Sequence, residues 1–382
     1  MSSSKTASNS GVEAREIAIS CVRRIAESES YANIILPNKL RKSELGRRDK
    51  NLVTEIVYGA TRMQRALDWA VDRFLIKPPP EALRASLRVG AYQIMYTRIP
   101  PHAAVSTTVE ASSKRNRGVV NAVLRKLVDN IPEEWPNEAT QLSYPDWIYE
   151  LIATEHGPIE GRAMLEYMNS APSVNERPDG YVQDLASQWI IEMIDVKPKD
   201  FVLDVCAAPG GKSTALASKG ANVVAADISP SRGSLINGNI QRLQMDNIFQ
   251  VTADGTQPCF IRGAFDKVLV DAPCSGLGVL HRRPDARWRI KPSDIDNLAA
   301  LQYELLLAAR DLVKPNGELI YSVCTTTNAE TNEVALRFGK EAGGVSPIPI
   351  EDPLWRNNGE GALLLPQDRG TDGMSLFMWK IS

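Results

Sequence analysis

Cysteine and histidine are scarce in this sequence. Five cysteines, an odd number with no Cys-x-x-Cys pair, argue against a disulfide framework and against a zinc site. The three histidines, His102, His156 and His281, are scattered, which removes most histidine-based metal and triad chemistry. No apolar run approaches the roughly 18 residues that a membrane span needs. Met1-Ser2-Ser3-Ser4-Lys5 lacks the apolar stretch of a signal peptide. Glycine (25) and proline (24) are near average, so neither a fibre nor a disordered chain is indicated. The expectation is a soluble cytoplasmic protein, monomeric, with no membrane and no metal partner.

The composition is that of a globular protein, 43% hydrophobic and 24% charged, and 382 residues suit two domains better than one. The formal charge of −2 hides an asymmetry. Residues 1–130 carry 22 Lys and Arg against 12 Asp and Glu; the rest carries 22 against 34. A polyanion, most plausibly nucleic acid, would explain the basic part, and a solvated basic face on a helical domain explains it equally well.

From Gly11 to about Leu127 the hydrophobic period is helical. Val12, Ile17, Cys21, Val22 and Ile25 share a face, as do Leu67, Ala70, Val71 and Leu75. Pro78-Pro79-Pro80 and Pro100-Pro101 break the run. Residues 1–130 therefore read as an all-α bundle, and 131–180 as a proline-punctuated connector with short helices. From Phe201 the texture changes. Short apolar runs at Phe201–Cys206, Val223–Ile228, Ile248–Ala253, Phe265–Asp271 and Gly317–Cys324 alternate with helical segments. Residues 181–382 are thus expected to form a doubly wound, mostly parallel α/β sheet, with Ala362–Leu365 and Ser375–Ile381 completing its edge as a hairpin.

The first strand runs into Asp204-Val205-Cys206-Ala207-Ala208-Pro209-Gly210-Gly211-Lys212. A glycine-rich turn that opens a helix lets a ligand approach backbone amides. It is not a P-loop, since that pattern needs glycine where Cys206 stands. Strand two ends in Asp227, where a carboxylate can accept both ribose hydroxyls, and strand three leads to Asp254. Each aspartate alone reads more readily as a turn or cap residue; in this order, beside the glycines, they outline a nucleoside pocket. Strand four ends in Asp271-Ala272-Pro273-Cys274-Ser275-Gly276, strand five in Tyr321-Ser322-Val323-Cys324. Either cysteine alone would pass for a small buried hydrophobe. Two at neighbouring strand ends, near the loop His281 to Arg289, make a sharper pattern. That loop's arginines and Trp288 would suit a splayed nucleobase and its phosphates.

These motifs resemble those of the bacterial 16S ribosomal RNA (cytosine-5) methyltransferases of the Sun/Fmu type. The likeness lies in Asp204 to Lys212, Asp271 to Gly278, Arg283-Pro284-Asp285 through Trp288-Arg289, and Tyr321 to Cys324. The N-terminal bundle is similar to the NusB antitermination family at Arg48-Asp49 through Gly59, Val89 to Gln93 and Asn121 to Arg125. The resemblance implies a NusB-like RNA-binding domain over 1–130 and a Rossmann-like methyltransferase domain over 181–382, with S-adenosylmethionine as cofactor and ribosomal RNA as partner. It further implies that Cys324 attacks C6 of cytosine, that Asp271 bonds the base's N3/N4 edge, and that Cys274 assists loss of the C5 proton. Cys206, Ala207, Ala208, Pro209, Gly210, Gly211 and Lys212, with Asp227, Asp254 and Asp271, would hold the cofactor. The chain departs from the family at Asn328 to Glu333, where Pro-Glu-Glu-Asn-Glu is usual, and at Ser173 to Tyr181, where relatives carry a small β-containing subdomain. Competing readings are a transfer RNA methyltransferase and an antitermination module with a vestigial catalytic half.

Overall fold

The computed structural model describes residues 2–28 and 31–382, with the backbone alone over 2–9. The chain divides into two compact units, residues 1–154 with 280–289, and residues 155–279 with 290–382.

The first unit is helical: α1 (Ser2–Glu27), α2 (Ala32–Arg41), α3 (Arg47–Arg62), α4 (Gln64–Asp72), α5 (Glu81–Tyr96), α6 (Pro101–Ala111), α7 (Arg117–Asp129), the short α8 (Glu138–Gln141) and α9 (Asp146–His156), whose last turn passes into the second unit. Residues spaced three and four apart face inward. Ala14, Ala18, Cys21 and Val22 of α1 meet Val53, Ile56, Val57 and Ala60 of α3 and Leu87 and Ala91 of α5. Two glycines let helices touch closely. A Cβ at Gly59 would stand 1.9 Å from the Tyr92 ring, and one at Gly90 would stand 2.3 Å from Leu124. Helix α6 starts at Pro101, the break in the helical run, because proline is well suited to a first helical turn.

The loop 280–289 corrects the sequence reading. Arg287, Trp288 and Arg289 do not stand free for a nucleobase; they pack into the helical unit, while Arg283 is exposed. Arg287 is fully buried, lies 3.9 Å over the Tyr144 ring and donates to the carbonyls of Ser143 (3.2 Å) and Arg62 (3.3 Å). Trp288 Nε1 donates to Thr61 O at 2.7 Å, and Arg289 Nη2 to the carbonyls of Ile25 and Ser28, both at 3.2 Å. Asp285 accepts the Ala32 amide at the start of α2 (3.2 Å). Helix ends and kinks leave carbonyls and amides that need partners, and this loop supplies them.

The second unit opens with α10 (Pro158–Tyr167) and α11 (Leu185–Met193) and continues as β1 (Phe201–Asp204), α12 (Gly211–Ser218), β2 (Asn222–Asp227), α13 (Pro230–Leu243), β3 (Ile248–Thr252), β4 (Phe265–Asp271), α14 (Pro292–Arg310), β5 (Val313–Val323), α15 (Asn332–Glu341), β6 (Val345–Pro347), β7 (Arg356–Asn358), β8 (Gly361–Leu364), α16 (Pro366–Arg369) and β9 (Met374–Ile381). The sheet order is β3-β2-β1-β4-β5-β9-β8-β7, with β6 also on β9. The first five strands are parallel and β9 runs antiparallel to β5. Alternation sorts the two faces. Leu203, Val268, Val270, Leu319 and Tyr321 pack toward Leu305, Leu306 and Phe338. Val202, Val223, Leu269 and Ile320 pack toward Ile190, Leu216 and Ile236. The strand order reverses between β1 and β4, which opens a crevice at the carboxyl ends of those strands. Among the described residues no helix is long and apolar enough to cross a membrane.

Candidate active site

Every sequence-predicted site residue lies at or just beyond a carboxyl end of β1 to β5. Around β1 the turn Cys206 to Gly210 is held from several sides. Ala207 N–H donates to Ala226 O (2.8 Å), Arg232 Nη2 to Ala208 O (3.0 Å) and Asn239 Nδ2 to Pro209 O (2.9 Å). Gly210 sits at φ +101°, a conformation costly for any side chain, and starts α12. The first-turn amides of a helix are the ones left without partners inside it, and they attract polar or anionic groups.

Asp227 is buried at the end of β2, accepting the amides of Ala208 (3.2 Å) and Ser229 (3.0 Å), with Arg232 at 3.4 Å. Asp204 is fully buried; Ser213 Oγ donates to its Oδ2 at 2.6 Å, and Oδ1 has no partner among the described residues. Burial first, then the nearby carboxylates of Asp271 and Asp227, push the Asp204 carboxyl up to about 7 against the Ser213 bond. Asp254 lies two residues past β3 and uses Oδ1 for the Thr256 amide (2.9 Å) and hydroxyl (2.7 Å), the turn role its residue type suggests. Amides at a helix start, a buried carboxylate at a strand end and an orphaned buried oxygen suit a polar ligand.

Lys212, predicted with this turn, reaches across to the next strand end. Its Nζ stands 2.7 Å from Asp271 Oδ2, and Ser322 Oγ donates to Asp271 Oδ1 at 2.7 Å. Burial alone would lower the Lys212 pKa; Asp271, and then Cys324, outweigh it and the net shift is upward. The Asp271 carboxylate is thus fixed beside a permanent cation.

Asp271 pairs with Ser322 in the β4–β5 ladder, and the two thiols converge just beyond, three residues after Asp271 and two after Ser322. Cys274 Sγ and Cys324 Sγ are 3.2 Å apart, and none of the five cysteines is in a disulfide. The Cys274 thiol is raised well above its ordinary pKa by its hydrogen bond to Cys324, by burial, and by the charge a Cys324 thiolate would carry. The two thiols therefore titrate as a pair. Burial and three aspartates raise Cys206 beyond the range of a reactive thiol.

Sequence reading missed the scaffold of this site. Gln302, in mid-helix α14, donates to Pro273 O at 2.9 Å; a lone glutamine in a helix carries no signal. Glu155 and His156 reach the segment after Cys324: Glu155 accepts the Asn328 amide (3.0 Å), and His156 Nε2 is 3.1 Å from Thr326 Oγ1. Burial, opposed by that amide, pushes Glu155 up to about 7. Ser322 was within reach of the sequence, as the serine of Tyr-Ser-x-Cys.

Comparison with known proteins agrees with this geometry. Residues 191–380 match the model of the 16S rRNA methyltransferase RsmB/F family, and residues 12–129 match the NusB family. A probable ribosomal RNA small subunit methyltransferase B from Synechocystis sp. is 32% identical over 95% of this chain and 98% of its own. Ribosomal RNA small subunit methyltransferase B from Cronobacter sakazakii is 30% identical over 86% and 90%. The Synechocystis alignment spans 437 positions, so that relative has segments lacking in this chain. Among solved structures, PH0851 superposes with a TM-score of 0.78 at 20% identity over 96% of this chain and 98% of its own, a likeness of fold. NSun6 from Pyrococcus horikoshii, solved with SFG, gives 0.50 at 26% identity over 55% and 56%. With relatives matched nearly end to end and both family models satisfied, the chain belongs to the RsmB/F family of 16S rRNA methyltransferases.

Proposed function

We propose that this chain, an S-adenosylmethionine-dependent rRNA methyltransferase, methylates C5 of a cytosine in 16S ribosomal RNA through a covalent bond between Cys324 and C6. One observation carries the reading: two thiols 3.2 Å apart at neighbouring strand ends, beside a carboxylate held by a buried lysine. C5 of cytosine is too weak a nucleophile to take a methyl unaided. Addition of the Cys324 thiolate at C6 makes C5 enamine-like and nucleophilic. S-adenosylmethionine supplies the electrophilic methyl when bound, and Cys206 to Lys212, Asp227 and Asp254 are the residues to hold it. Asp271 meets the N3/N4 edge of the base, where it favours protonation as negative charge builds on the ring. Lys212 and Ser322 keep that carboxylate in place. Cys274 then assists departure of the C5 proton, and the C6–S bond breaks to regenerate Cys324.

The test separates the thiols by the step each serves. With RNA and cofactor both supplied, Cys274→Ala should accumulate a denaturation-resistant protein–RNA band; Cys324→Ala and the double variant should give none. A band from Cys324→Ala alone would reverse the roles. The NusB-like region and the match to a small-subunit rRNA family favour ribosomal over transfer RNA. Methyl transfer to tRNA with none to 16S rRNA would overturn that preference.

A further inference from the structure

The β4–β5 ladder ends before either thiol. Asp271 pairs with Ser322, and past them only the Ala272 amide to Ser322 O (3.0 Å) and the Gly278 amide to Cys324 O (3.1 Å) tie the two segments backbone to backbone. Something else sets the spacing of the sulfurs. Glu330, six residues after Cys324, is fully buried. Its Oε1 accepts the Ser275 amide at 2.7 Å and Gln302 Nε2 at 3.1 Å; its Oε2 accepts the hydroxyls of Thr327 (3.0 Å) and Thr325 (3.3 Å). Ser275 follows Cys274, and Thr325 follows Cys324. Their own hydroxyls are 3.0 Å apart. Gln302 also grips Pro273 O on the other side of Cys274, and Tyr321 donates to the Glu330 carbonyl at 2.6 Å.

A buried carboxylate is costly unless its lone pairs are filled, and here donors from both thiol-bearing segments fill them. We propose that Glu330 is a positioning residue for the reaction: it clamps the residues after Cys274 and Cys324 to one carboxylate, so that the resolving thiol stays within reach of the attacking one. This rests on the two-cysteine reading above. The clamp acts on the step in which both sulfurs take part, resolution of the covalent intermediate, and leaves the cofactor turn at β1 untouched.

The experiment compares Glu330→Ala and Glu330→Gln with the wild type in cofactor titration, steady-state turnover and the denaturing adduct assay, using the full chain and 16S rRNA. Glu330→Ala should lower kcat by about 10- to 100-fold, the scale of an ångström-level misplacement. It should leave cofactor affinity and the Michaelis constant for cofactor unchanged, and it should accumulate an adduct that the wild type does not. Glu330→Gln, which keeps an acceptor for the Ser275 amide, should recover part of the turnover. Wild-type kcat in folded Glu330→Ala overturns the proposal, as does slow turnover with weakened cofactor binding and no adduct. Should Glu330→Ala fail to fold, Glu330→Gln and Thr325→Val, which removes one donor, decide by the same adduct readout. Cys274→Ala and Cys324→Ala run alongside. Reversed or absent bands from that pair overturn the parent reading, whereas a normal pair with unaffected Glu330 variants overturns the clamp alone.

Discussion

Both units bury charged side chains, and they use them differently. In the helical unit the buried cations Arg15, Arg62, Arg84, Arg88 and Arg287 are absorbed by the fold. Arg15 Nε donates to Gln93 Oε1 at 2.9 Å, Arg62 Nη2 to His281 O at 2.9 Å, and Arg88 bridges Asp68 (2.8 Å) and Glu81 (3.0 Å). In the sheet unit Asp204, Lys212, Asp227 and Glu330 stand at or just beyond strand ends, along the edge that also carries the two thiols. A buried charge in mid-bundle packs the fold; the carboxyl edge of a parallel sheet is where open α/β folds bind ligands, and there the proposed function gives the same charge its work. The comparison also revises the meaning of the basic N-terminal region. Four of its arginines are interior, so the excess available to a polyanion is smaller than the raw count of 22 suggests.

The largest effect that could break this contrast is at Cys324. Cys324→Ala should abolish methyl transfer, a loss of at least about a thousandfold, as for other nucleophile deletions. Its melting free energy should move by only about 1 kcal/mol. Arg287→Ala should do the opposite. Losing the stack on Tyr144 and leaving two buried carbonyls unpaired should cost the helical unit about 3 kcal/mol, read by chemical denaturation. Cofactor affinity should be unchanged. A large loss of cofactor binding from Arg287→Ala would dissolve the distinction.

Asp227→Ala should weaken S-adenosylmethionine binding by about 1.5–3 kcal/mol in calorimetry, the scale of a hydrogen bond to a charge. Unchanged affinity would move the ribose contact elsewhere. Asp204 offers a pH signature. Its carboxyl is raised to about 7 in the folded protein, against about 3.9 in an unfolded chain, so the native state holds the extra proton between those values. Stability should therefore fall as pH rises from about 4 through 7, by about 1.4 kcal/mol for each unit of separation retained. Asp204→Asn should lack that slope, so the difference between the two proteins should show it, whatever Glu155 adds to both. An identical pH profile would mean that Asp204 ionises normally.

The strands, their order of use and both cysteine motifs were legible because short apolar runs and glycine turns are local signals. β1 to β5 fall within a few residues of their expected spans, the largest difference being β5, which begins at Val313 and carries Pro315 and Gly317 in its early part. The loop 280–289 was misread because composition cannot distinguish an arginine aimed at phosphate from one aimed at a helix carbonyl. Only tertiary placement shows Arg287 buried on Tyr144. Lys212 was legible as part of a motif, yet its ion pair with Asp271 joins residues 59 positions apart and has no sequence period. Glu330 stood in the segment where the chain departs from the family, yet its partners, like those of Gln302, lie on other elements and leave no sequence signal.

The smallest effect concerns the charges the bundle leaves outside. Arg41, Lys42, Arg47 and Arg48 are exposed around the junction of α2 and α3, and Arg47 and Arg48 open α3. A helix start carries positive partial charge and favours carboxylates, so two arginines there are unfavourable by a few tenths of a kcal/mol each. Phosphate nearby would reverse that sign, because both the guanidinium groups and the helix end attract it. Arg47→Gln and Arg48→Gln should therefore raise stability slightly while weakening RNA binding. Each should reduce the slope of log affinity against log salt by about 0.7–0.9, if each neutralises one phosphate. Buried Arg84→Gln should lower stability without altering that slope. If Arg47→Gln and Arg48→Gln leave the salt slope unchanged, this face is solvated, and the basic excess of the helical unit has no share in holding RNA.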